Sequence, residues 1–81
     1  MNIERAAMRG KLAELESQAE RLKIRINAIR DSLRMKLNPA LYAPGDLEIA
    51  EIMQQAEDLH GVAIDLLEAQ ADIARIEREL R

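Results

Sequence analysis

Met8, Leu12, Leu15, Ala19, Leu22, Ile26, Ile29 and Leu33 are separated by intervals of 4, 3, 4, 3, 4, 3 and 4 residues. That alternation keeps apolar side chains on one stripe of an α-helix and is the heptad pattern of a helix packed along another helix. Good helix formers fill the intervening positions, and no proline occurs between Ile3 and Leu37. The pattern predicts a helix over residues 3–37, with Asn2 able to cap it and Glu4 in its first turn, where a negative charge suits the helix dipole.

Asn38-Pro39 ends this run, because a residue before proline is driven out of the helical region. The turn spans residues 38–45, and Asp46 is a ready N-cap for a second helix over 46–81. There Ile52, Leu59, Leu66, Ile73 and Leu80 recur every seven residues and are assigned to heptad position d. Position a then holds Ile49, Ala56, Ala63, Gln70 and Glu77. The flanks are apolar as well, with Met53, Leu67 and Ala74 at e and Val62, Ala69 and Ile76 at g. A stripe this wide exceeds what one partner helix covers.

Two helices of similar length joined by a short turn predict an all-α fold, an antiparallel hairpin roughly 50 Å long at 1.5 Å per residue. The whole chain, residues 1–81, reads as one domain. Folding about the turn pairs residues whose numbers sum to about 83, which sets Leu33 near Ala50, Ile26 near Ala56, Ala19 near Ala63, Leu15 near Leu67 and Arg5 near Glu77. A hairpin alone leaves the flanks of the second helix wet. The expectation is therefore a homodimer forming a four-helix bundle, with Met53, His60, Leu67, Val62 and Ile76 at the interface between copies.

Composition strengthens this picture. The chain is 48% hydrophobic and 33% charged with a single aromatic residue, Tyr42, as suits helices packed on helices. Residues 1–37 hold nine Lys/Arg and five Asp/Glu, and residues 46–81 hold three and ten, so segments of +4 and −7 attract each other within a net charge of −3. Exposed ion pairs contribute only about 0.2–1 kcal/mol each, so charge selects orientation and register. The absence of Cys excludes a disulfide framework, thiolate metal sites and thiol chemistry. No stretch approaches the ~18 apolar residues of a membrane span, and the charged opening is unlike a signal peptide, which leads to the expectation of a cytoplasmic protein.

Candidate chemistry is sparse. Glu57 and His60 form the Glu-x-x-His spacing of carboxylate-bridged di-iron bundles. Such a centre also needs carboxylates from the first helix, where the pairing puts Leu22, Lys23 and Ile26, so no metal or cofactor is expected. There is no glycine-rich phosphate loop and no nucleophile beside the single His, which argues against an enzyme. The basic run Arg21, Lys23, Arg25, Arg30, Arg34 and Lys36 offers a face for phosphate. Acidic residues Asp46, Glu48, Glu51, Glu57 and Asp58 at the same level are expected to neutralise it, and the lack of Trp and Phe removes a base-stacking platform.

Gly10 and Gly61 fall at outward positions, where each costs about 1 kcal/mol relative to Ala, either as a tolerated kink or as a place for close approach. Ile24 and Ile64 point away from the seam, and Leu41 and Tyr42 occupy the turn. These four are the candidate partner-binding residues, since tyrosine and apolar tips are favoured at contact hot spots.

In size, hairpin layout and Arg/Glu/Ala-rich style the chain resembles the small coiled-coil proteins encoded in the early regions of transposable, Mu-like phages and prophages, some of which bind and inhibit host proteins. It also resembles small helical-hairpin co-chaperones of secretion systems and, in architecture, small plasmid-encoded RNA-binding hairpins. These are likenesses of layout without a shared motif, so no residue role is carried over. The function expected is non-enzymatic protein binding as an inhibitor, adaptor or chaperone. The alternative is nucleic-acid binding through the basic face of the first helix.

Overall fold

The computed structural model describes residues 2–81. Helix α1 runs Asn2–Lys36 and helix α2 runs Ile49–Leu80, joined by a turn that contains one 3-10 segment, Pro44–Asp46. The helices lie side by side and antiparallel: Lys36 meets Glu48 and Glu51 near the turn, and Arg5 reaches the Leu80 carbonyl at the other end. The result is a rod of 63 × 16 × 15 Å.

Along α1 the covered face is the one that the heptad spacing predicts. Leu15 and Ala19 are buried, and Met8, Leu12, Leu22, Ile26, Ile29 and Leu33 are half-buried. On α2 the phase differs from expectation. Position d is covered throughout, but its partner row is g, not a: Val62, Ala69 and Ile76 are the buried residues of this helix, whereas Ile49, Ala56, Gln70 and Glu77 are exposed.

Side-chain size explains the choice. Burying Val or Ile stabilises by about 1.5–3 kcal/mol, whereas a seam of d with a would cover Ala, Gln and a Glu carboxylate that must then leave water. Val62 and Ile76, expected between copies, therefore lie inside the hairpin at 5% exposure each.

The change of phase carries the register with it. Cross-helix partners sit up to one turn further along α2 than the expected pairing: Ser32 bonds Gln55, Lys36 bonds Glu51, and Arg5 donates to the Leu80 carbonyl at 2.8 Å in place of Glu77. Ala50, Ala56 and Leu67, expected opposite Leu33, Ile26 and Leu15, are exposed.

The turn is held by Asn38. Its side-chain oxygen accepts from the Ala40 amide at 2.9 Å, and its carbonyl accepts from the Leu41 and Tyr42 amides at 3.0 Å each. This Asx arrangement with Pro39 ends α1 one residue before the expected boundary. Asp46 does not cap α2. With Ala43 extended and Pro44 supplying a fixed φ, the chain makes a 3-10 turn in which the Asp46 amide donates to the Ala43 carbonyl at 2.9 Å. Leu47 is extended again, so α2 starts only at Ile49, with no side-chain cap at Glu48.

Candidate functional site

With d and g of α2 consumed by α1, positions a and e form a second heptad stripe: Ile49, Met53, Ala56, His60, Ala63, Leu67, Gln70 and Ala74, at intervals of 4, 3, 4, 3, 4, 3 and 4. Its centre lies about 100° around α2 from the centre of the seam, given 3.6 residues per turn. Ile49, Met53 and Leu67 are 54%, 60% and 66% exposed, and His60 and Ala56 are exposed with them. Ile64 borders the same stripe and is exposed. In a four-helix bundle each helix packs nearly parallel or antiparallel to two neighbours, on faces roughly 90° apart around its axis, so α2 carries a face of the right pitch and direction for a second helix.

Helix α1 carries no such second face. The row beside its seam on this side is Arg9, Glu16, Lys23 and Arg30, all exposed. Ile24 is exposed but stands among Glu20, Arg21, Asn27 and Ala28, apart from the α2 stripe.

On the other flank of the α2 seam, position c is acidic in every heptad: Glu51, Asp58, Asp65, Asp72 and Glu79. Among the described residues, only the row's end nearest the turn is bridged to α1. Lys36, largely covered, contacts Glu48 at 3.4 Å and also Glu51. Beyond it Ser32 and Gln55 exchange part-buried hydrogen bonds of 2.8 and 3.1 Å, which tie the register. Of the remaining basic run, Lys23 pairs with Glu20 and Arg34 with Asp31 within α1, while Arg21 and Arg30 donate to the uncharged Ser17 and Asn27. The expected neutralisation by the neighbouring helix is thus confined to Lys36.

The hydrogen bond to Glu51 raises the Lys36 pKa above the ordinary lysine value, and the same bond holds the Glu51 carboxyl below the ordinary range. Glu51 therefore contributes stability at neutral pH that is lost as pH falls through its lowered folded-state pKa. Lys36 contributes below the ordinary lysine pKa, and that part is lost as pH rises through its raised value. In melting curves across pH, the gap between the natural chain and Lys36→Met is expected to be widest near neutrality and to close at both extremes. A gap that does not vary with pH would show that the bridge contributes nothing.

At the turn, Leu41 is exposed and Tyr42 is half-buried, its hydroxyl donating to Glu48 at a long 3.4 Å. Glu57 and His60 are exposed on α2, and among the described residues no group of three or more His, Cys, Asp or Glu stands close enough to hold a metal ion. A shallow depression at the open end is lined by Glu77, Leu80 and Arg81. Among the described residues no helix is long and apolar enough to cross a membrane.

The second stripe and the acidic row were both written in the sequence at seven-residue spacing. The stripe could not be separated from the seam until the phase of α2 was known. Compared with known proteins, the chain matches no family model, no curated protein and no solved structure.

Proposed function

We propose that this protein is a non-enzymatic protein-binding module, a helical hairpin that forms a homodimer and engages another protein as an inhibitor, adaptor or chaperone. The observation that carries the reading is the open a/e stripe of α2. It sets three large apolar side chains in water on a chain with a thin core, in which only Leu15, Ala19, Val62, Ala69 and Ile76 are buried among the described residues. Small chains commonly complete such a core by association. The runner-up, nucleic-acid binding through α1, draws support from the basic side chains of Arg21, Lys23, Arg25, Arg30 and Arg34, which are exposed and, among the described residues, not bridged to α2.

Salt separates the two. Complexes held by apolar contact, those between copies included, are expected to survive a rise from about 50 to about 200 mM salt and to resist nuclease. A phosphate-dependent complex with six or more contacts loses about a thousand-fold in affinity over the same range. Recovery of nucleic acid with that salt dependence would overturn the protein-binding reading.

The turn residues Leu41 and Tyr42, with Ile24 and Ile64, are the proposed contacts for a protein other than a second copy. Tyr42→Ala is expected to lower the melting temperature by removing a half-covered ring from the turn. Leu41→Ser is expected to leave melting unchanged and to weaken capture of the partner by more than about 1 kcal/mol, the scale of an interface contact of consequence. Unchanged capture by Leu41→Ser would remove the turn from the binding surface.

A further inference from the structure

We infer that the a/e stripe of α2 is closed by the same stripe of a second copy, running antiparallel about a twofold axis that passes between His60 and Ala63. This rests on the homodimer reading above and specifies its surface, direction and register. The first support is size. In the antiparallel register Ile49 stands opposite Ala74 of the second copy, Met53 opposite Gln70, Ala56 opposite Leu67 and His60 opposite Ala63. Three of these four kinds of pair match a large side chain to an alanine, which lets knobs on one helix enter space left by the other. A parallel pairing would instead place Ile on Ile, Leu on Leu and His on His, with alanines facing alanines.

The second support is charge. Residues 46–81 carry −7, so two α2 helices approach one another only if their acids are turned away. The uniformly acidic c row lies about 180° around the helix from the centre of the a/e stripe. Glu51, Asp58, Asp65, Asp72 and Glu79 therefore face outward from the proposed contact.

The third support is direction. The stripe sits about 100° from the seam, and an antiparallel twofold pair keeps both copies of α1 on the same side of the α2 pair, which gives a four-helix arrangement with the two turns at opposite ends.

The chain has no cysteine, so single cysteines introduced in the full-length protein report proximity without background. A mixture of Met53→Cys and Gln70→Cys chains, treated with a short bismaleimide, is expected to yield the mixed cross-linked dimer as its main product. Ile49→Cys alone is expected to remain uncross-linked. Leu67→Glu is expected to keep its helical circular dichroism while the dimer dissociation constant rises at least 100-fold in equilibrium sedimentation.

Efficient cross-linking of Ile49→Cys to itself would overturn the antiparallel register and leave the homodimer reading standing. A dimer unaffected by Leu67→Glu would move the interface to another face. If the natural chain sediments as a monomer at about 100 µM, the inference fails along with the homodimer. Salt-resistant capture of another protein would then still stand as the test of protein binding itself.

Discussion

Val62→Asp is expected to leave the hairpin unfolded at room temperature, whereas Ala56→Asp on the same helix is expected to leave it helical. Val62 is 5% exposed in the seam, so the change forfeits about 1.5–3 kcal/mol of apolar burial. It also puts a carboxylate where an ion's effective desolvation cost is several kcal/mol. A small domain has a total stability near the lower end of about 5–15 kcal/mol. Ala56 lies outside the seam, so within one hairpin an aspartate there costs under about 1 kcal/mol in helix propensity, and its further cost falls on the proposed contact between copies, which dilution removes. Urea unfolding followed by circular dichroism compares the two variants. Equal losses at both sites at concentrations where the natural chain is monomeric would overturn the d/g phase of α2.

Replacing Gly10 and Gly61 together with alanine is expected to raise the melting temperature by about 8–15 °C. Both glycines lie inside helices at ordinary helical φ, and a Cβ built on either meets no atom within 4 Å. Each exchange gains about 0.8–1 kcal/mol of helix propensity, and 1 kcal/mol corresponds to about 4–8 °C in a domain of this size. Both positions point away from the proposed α2 contact, so dimer affinity should not change. A double variant that melts higher but associates more weakly would show that the glycines admit another backbone.

The two helices were not equally legible in the sequence, for a physical reason. Helix α1 has apolar residues on one stripe and charges on either side, so its period admits a single phase, and Met8 to Leu33 could be placed residue by residue. Helix α2 is apolar at a, d, e and g together, and periodicity alone does not say which two of the four rows meet α1. The volumes of Val62 and Ile76 against Ala63 and Glu77 held the answer. Asn38-Pro39 marked the end of α1 because proline acts locally on the residue before it. Asp46 misled because Pro44, two residues earlier, commits that stretch to a 3-10 turn. The candidate surface was visible as a surplus of apolar flank, with Met53, His60 and Leu67 in it, but its boundary with the seam was not.

The polar contacts between the helices are distributed unevenly, and this sets an order of assembly. Lys36 with Glu48 and Glu51, and Ser32 with Gln55, join residues 12 to 23 apart in the chain, whereas Arg5 and Leu80 are 75 apart. Closing a short loop costs less conformational entropy than closing a long one, with each doubling adding about 0.6 kcal/mol. The bonded turn therefore brings the two strands of helix together first, and the seam zips away from it, each heptad shortening the loop that the next must close. Unzipping is expected to run the other way, with amides at the Arg5–Leu80 end exchanging while the Ser32–Gln55 clamp still holds, so the rod should have one firm end and one that opens first.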